Sequence, residues 1–208
     1  MIEHFNFLKS TSNSFKYYSQ AGQDLFVTKM LSNKKDGFFI EIGGSHPFES
    51  NNTFLLEKEY EWKGISLEFD EDLVKLYNNN RQNQSILTDA TTFDYLQYFN
   101  NNNFPNFIDY LSLDIEPASN TYKAMLKIPF DKYRFSVITY EHENYKEGPE
   151  FMNLSRDFLK SHGYQLVVSN VKAYGRDFED WWVDPNHVNK EIWEDYLNNN
   201  IEFQDIFK

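Results

Sequence analysis

The chain has 208 residues and a formal charge of −12, draws 18% of its residues from Phe, Trp and Tyr, and contains no cysteine. That length buries a full core in one domain, and the aromatic content excludes a disordered chain despite the many asparagines. Without thiols there are no disulfides, thiolate zinc sites or cysteine nucleophiles, and the acidic balance argues against a nucleic-acid backbone or an anionic membrane as the main partner.

Residues 1–18 read as an N-terminal arm with neither a signal-peptide pattern nor a long apolar span, so a protein of the reducing cytoplasm is expected. Residues 19–31, SQAGQDLFVTKML, place Leu25, Phe26, Met30 and Leu31 on one side of an amphipathic helix. From Gly37 onward strands and helices alternate. Strand 38–42 precedes a helix at 52–61, with Asn51 or Asn52 as its N-cap. Strand 64–69 precedes helix 71–79, strand 85–89 a helix near 92–99, strand 107–114 helix 118–127, and strand 135–142 helix 149–162. Strands near 164–169 and 171–178 have only a short connection and predict an antiparallel hairpin, and a helix near 187–198 closes the chain. There is no internal repeat and no Pro-, Gly- or Ser-rich linker, so residues 1–208 are expected to form a single domain. Repeated strand–helix units of this length imply an α/β fold with a mainly parallel sheet and helices on both faces.

Ligands of such sheets bind beyond the carboxyl ends of the strands. Those ends read Glu41-Ile42-Gly43-Gly44, Glu68, Asp89, Asp114-Ile115-Glu116 and Glu141-His142. Any one of these acids could be an exposed helix cap, but five in succession point to a cleft. Gly43-Gly44 lets backbone approach a ligand, and Glu41 is a charge in an apolar run, costly unless paired. A carboxylate at the position of Glu68 suits the vicinal hydroxyls of a ribose. The stretch GGSHPF lacks the spaced third glycine of a dinucleotide site, which favours a nucleoside cofactor without pyrophosphate over a nicotinamide. S-adenosylmethionine is the common one.

Six stretches in order carry a family resemblance: SQAGQDLFV, GFFIEIGG, SNNTFLLEKEYEWKGISLEFD, DYLSLDIEPAS, IPFDKYRFSVITYEH and FEDWWVDP. Together, over roughly residues 19 to 186, they resemble the FkbM-type family of S-adenosylmethionine-dependent methyltransferases. The resemblance implies a Rossmann-like class I methyltransferase fold of seven strands and O-methylation of sugars, glycans or natural-product small molecules. It further implies that Glu41, Gly43, Gly44 and Ser45 line the methionine and ribose side of the cofactor, that Glu68 holds the ribose hydroxyls, and that Asp89 accepts from the adenine amino group. Two stretches depart from the family pattern: DIEPAS, where Pro117 removes a backbone donor, and His46-Pro47 in place of a more glycine-like ending.

On the acceptor side, Asp114, Glu141 and His142 stand at two adjacent strand ends. They could hold a divalent cation such as Mg²⁺ or Mn²⁺ that lowers the pKa of the acceptor hydroxyl, or His142 could act as the general base, oriented by Asp114 or Glu141. Their structural alternative is a His–carboxylate pair closing the strand ends. Trp181 and Trp182 are candidates for an acceptor wall, one facing the cleft and the other the core. Arg134 and Lys132 are expected only to solvate the start of the fifth strand. The expected partner is a small molecule or glycan, with neither nucleic acid nor membrane. A catalytically silent methyltransferase-like binding module and a nicotinamide-dependent oxidoreductase are the alternatives.

Overall fold

The computed structural model describes residues 3–208. Its centre is an eight-stranded sheet built from β1 (Phe38–Ile42), β2 (Lys63–Glu68), β3 (Gln84–Leu87), β4 (Phe107–Leu113), β5 (Arg134–Glu141), β6 (Gln165–Ala173), β7 (Arg176–Val183) and β8 (Asn198–Asn199). The spatial order is β3-β2-β1-β4-β5-β7-β6-β8. Only β7 runs antiparallel to its neighbours. Helices α1 (Gln23–Met30), α2 (Phe54–Tyr60), α3 (Glu71–Asn80), α4 (Tyr95–Asn101), α5 (Ala118–Lys127), α6 (Asn144–Glu147), α7 (Glu150–Ser161), α8 (Lys190–Trp193) and α9 (Phe203–Ile206) accompany it. This is the expected Rossmann-like α/β architecture.

Strand periodicity divides the core into two. On one face Phe39, Tyr110, Val137 and Trp181 pack against α1, α2 and the C-terminal segment. On the other, Ile40, Leu111, Ile138 and Trp182 pack against α4, α5 and α7. A polar row crosses the first face, with Glu41 in register with Ser66 on one side and Ser112 on the other, and Ser112 in register with Thr139.

The main departures from the expected elements lie in the C-terminal half. The hairpin turns at Tyr174-Gly175, both with positive φ of 56° and 76°, rather than at Asn170. Asn170 is also at positive φ, but it sits where the β6–β7 register shifts, so its left-handed backbone makes a bulge inside the pair. The C-terminal helix is short, with α8 followed by a 3-10 turn at Glu194–Tyr196 and then β8, the eighth strand. Asparagine competes with helical backbone bonds, and Asn199 accepts from Ser169 Oγ at 2.8 Å and Asn170 Nδ2 at 3.1 Å. Gly148-Pro149 splits the expected helix 149–162 from the extra turn α6.

The described part of the arm forms a 3-10 helix, His4–Phe7, and a two-stranded ribbon of Lys9–Ser10 with Lys16–Tyr17. Phe7 lies 5.0 Å from the His46 ring, and Lys9 donates to Ser50 Oγ at 3.3 Å, so the arm backs the loop after β1. Its first two residues lie outside the described ones. Among the described residues no helix is long and apolar enough to cross a membrane.

Candidate functional site

The strand order reverses between β1 and β4, and the space beyond the carboxyl ends of strands at such a reversal is where open α/β sheets bind ligands. A cavity of about 410 Å³ opens at this point, lined by Gln20, residues of the loop after β1, Glu68, Leu73 and Asp114 to Glu116. Five of its lining residues are acids (Glu41, Glu49, Glu68, Asp114 and Glu116) and none is basic. A larger cavity of about 790 Å³ lies around Phe38, Trp62, Lys63 and Asn83, at the opposite ends of β1 and β2, away from the acids at the carboxyl ends of the strands.

The loop after β1 is built for close approach. Gly43 has φ +91°, and a Cβ on it would overlap the carbonyl oxygen of Asp114. A Cβ on Gly44 would come within 2.9 Å of Ser66 Cβ. Glu68 fixes the far side, accepting from Ser45 N at 2.8 Å through Oε2 and from Phe69 N and Asp70 N at 2.7 and 2.9 Å through Oε1. These take three of the roughly four acceptor positions of a carboxylate and leave one for a hydroxyl. Asp89 stands outside the lining residues, on the loop after β3, where Thr91 N and Oγ1 both donate to its Oδ1 and hold its carboxyl below the usual range.

Behind the loop, Glu41 is 1% exposed and hydrogen-bonded by Ser66 Oγ. Burial pushes its carboxyl up to about 7 against the opposing pull of Arg81. Arg81, itself buried, pairs with Glu57 at 3.1 Å and donates to Pro47 O and Asn51 Oδ1 at 2.9 and 3.0 Å. Asn51 Oδ1 also accepts from Thr53 N and Phe54 N, so the side chain expected as a cap does hold the start of α2, from two residues before the N-cap position occupied by Thr53. Arg81 is not among the residues the sequence singles out, because it lies in the polar run NNNRQNQ with nothing to set it apart from a solvated helix end.

At the ends of β4 and β5, Asp114 and Glu141 are hydrogen-bonded to each other; burial raises both carboxyls, Asp114 against the opposing bond from Glu141, and Glu141 the more strongly because Asp114 also repels its charge. One proton held between them is the arrangement this implies. His142 does not join them. It is fully buried, its Nδ1 accepts from Asn144 N at 3.2 Å, and its Nε2 lies 3.5 Å from Asp180 Oδ1. Burial raises the Asp180 carboxyl, but Arg156, which meets it twice at 2.7 and 2.8 Å, and His142 outweigh that and hold it low. His142 thus belongs to a buried network that ties β5, β7 and α7, because its ring turns to the face opposite the carboxyl pair's cavity. The expected set of Asp114, Glu141 and His142 as metal ligands is not brought together. Among the described residues no group of three His, Asp or Glu side chains is arranged to hold a metal ion.

Trp181 and Trp182 are both fully buried, one in each core, and neither has surface to offer an acceptor. Strand alternation sends them to opposite faces, and helices cover both. Arg134 departs from expectation too, pairing with the buried Asp184 at 2.7 Å and donating to His162 O at 2.7 Å. Glu179, unmarked in the sequence, is buried on β7, accepts from Gln23 Nε2 at 2.8 Å and from Trp181 Nε1, and is pushed by burial up to about 8.

No protein-family model matches the sequence, and no curated protein matches it. Solved structures do resemble its fold. An O-methyltransferase from Bacillus cereus in complex with SAH shares 17% identity, with 78% of this chain and 80% of that one covered and a TM-score of 0.57. An rRNA methylase from Streptococcus thermophilus shares 11%, covering 77% and 94%, with a TM-score of 0.51. A TehB-like SAM-dependent methyltransferase from Corynebacterium glutamicum shares 9%, covering 80% and 89%, with a TM-score of 0.51. At these identities the likeness is one of fold.

Proposed function

We propose that the chain is an S-adenosylmethionine-dependent methyltransferase that methylates a hydroxyl of a small molecule or glycan. The observation that carries this reading is the cavity at the reversal of strand order, formed where Gly43 clears the Asp114 backbone and walled by carboxyls with no basic residue among its lining. When bound, S-adenosylmethionine supplies a methyl group on a positively charged sulfur. Glu68 and the Asp114–Glu141 pair, which keeps a negative charge with one proton bound, favour that charge, Gly43 and Gly44 let backbone approach, and Glu68 has an acceptor position left for a ribose hydroxyl. The neighbour holding SAH and the FkbM-type motif order of residues 19 to 186 support the same cofactor.

The Asp114–Glu141 pair supports a hydroxyl as the acceptor. The acceptor oxygen must lose its proton as it takes the methyl group, and a carboxyl pair with raised affinity for protons is suited to receive it. The displaced bond's electrons stay on the cofactor's sulfur, and the proton ends on the pair. No step is assigned to a metal, since His142 is directed elsewhere. The formal charge of −12 favours a small molecule or glycan over nucleic acid.

Titration calorimetry with S-adenosylhomocysteine tests the reading. Binding is expected, with a rise in melting temperature, and Glu68→Ala is expected to weaken it. No binding at millimolar ligand overturns the proposal. Incubation with methyl-labelled cofactor and cell extract tests the acceptor: label in RNA, and not in small molecules or glycans, overturns the acceptor class.

A further inference from the structure

We infer that Asn52 is the residue that holds the α-ammonium group of the methyl donor, an assignment that rests on the cofactor reading above. Asn52 lines the cavity and is 4% exposed. Its Nδ2 donates to Ser112 Oγ at 3.0 Å, whereas its Oδ1 has no hydrogen-bond partner. Buried polar atoms are normally paired, and an orphan in a cavity wall marks where a ligand group is missing. The Ser112 hydroxyl can donate or accept, so either orientation of the amide leaves one end of Asn52 unpaired.

The preceding residue sharpens the contrast. Asn51 has both ends in use, Nδ2 on Gly44 O at 2.9 Å and Oδ1 on the start of α2 and on Arg81. Asn51 shapes the loop, and Asn52 is left to read what the loop encloses. The charge of the wall says which end of an amino-acid tail it reads. An ammonium brings three donors and a positive charge to a cavity rich in acceptors, with carboxyls of Glu41 and Asp114 among them. A carboxylate in the same place would find like charge and no basic side chain among the lining residues. Glu41 is in register with Ser112, so the amide of Asn52 is held directly over the polar row of the sheet.

Three ligands separate this role from general damage to the cavity. S-adenosylhomocysteine carries ammonium and carboxylate, its decarboxylated analogue carries the ammonium alone, and 5′-methylthioadenosine carries neither. By calorimetry the wild-type chain is expected to bind the first two similarly and the third more weakly. Asn52→Leu is expected to weaken the first two by about 10- to 100-fold, the loss of a hydrogen bond to a charged group, and to leave 5′-methylthioadenosine unchanged. Equal losses for all three ligands, or no loss for the first two, overturn the assignment. If the Leu variant does not fold, Asn52→Asp decides, because a charged acceptor should raise affinity for the decarboxylated analogue relative to 5′-methylthioadenosine. An unchanged ratio overturns the assignment. Failure of the wild type to bind any of the three refutes the cofactor reading itself, and with it the role of Asn52.

Discussion

The backbone of Asp114 fills the space a side chain at position 43 would need, so the ends of β1 and β4 can pack this closely at the cavity wall only because Gly43 has none. Gly43→Ala combines a left-handed backbone cost of about 1–2 kcal/mol with an overlap that costs about 1–3 kcal/mol. Gly163→Ala is the control, since Gly163 also has positive φ but nothing within 4 Å of its added Cβ. Urea denaturation should show the position-43 variant clearly less stable than the control. Equal losses would mean that the strand ends yield without strain.

The Asp114–Glu141 pair predicts the pH dependence of methyl transfer. A raised carboxyl is a competent base only once its proton has left, so the rate should rise with pH, with a midpoint above the ordinary carboxylate range. Glu141→Gln should remove the shared proton, shift the midpoint down toward that range, and lower the maximal rate. A rate that does not vary with pH between 5 and 9 at saturating cofactor would assign the base to another group.

Glu179 and Glu41 bear on stability. Both carboxyls are raised by burial, to about 8 and about 7, so the folded chain binds more protons than the unfolded one between pH 4.5 and 8. Stability therefore falls as pH rises through that window and levels off above it. The slope is about 1.4 kcal/mol per pH step of one for each carboxyl that is protonated only in the folded chain. Glu179→Gln, which keeps an acceptor for Gln23 and Trp181, should flatten the decline. Denaturation midpoints at pH 5, 7 and 9 check this, and a variant whose slope matches the wild type contradicts it.

Trp181 and Trp182 predict loss of stability on both sides of the sheet. Trp181 stacks on Phe26 with ring centroids 4.7 Å apart, and Trp182 packs in the opposite core. Truncation of either to Ala should cost about 3–5 kcal/mol. Affinity for S-adenosylhomocysteine should be unchanged while the variants remain folded. A variant that keeps its stability but loses acceptor turnover would return that residue to the cleft.

The succession of strands and helices along the chain was legible because β1, β4 and β5 alternate or run apolar between glycines and helix starts, a local signal in the chain itself. The details that failed depend on partners far away in sequence. Asn170 and Tyr174-Gly175 all adopt left-handed backbone, and only pairing with β7 decides which of them turns the hairpin. Arg134 meets Asp184 fifty residues later, and His142 meets an aspartate carried by the next strand in space. At the site, the glycines and strand-end acids were readable as residue types. Asn52 was visible only as a cap candidate, since its importance lies in the bond it does not make.

The polar row of Ser66, Glu41, Ser112 and Thr139 has a consequence for how the sheet assembles. All four project from one face, while Ile40, Ile42, Leu111, Leu113 and Ile138 project from the other. If β1 slipped by a single residue, Glu41 would turn among leucines and isoleucines with no hydroxyl to meet it, and an isoleucine would face the Asn52 amide. A slip by an odd number of residues at β1 thus carries a buried carboxyl into an apolar layer. The groups that prepare the floor of the cavity also oppose one-residue slips as the sheet forms, so the same side chains favour the register in which the site is built.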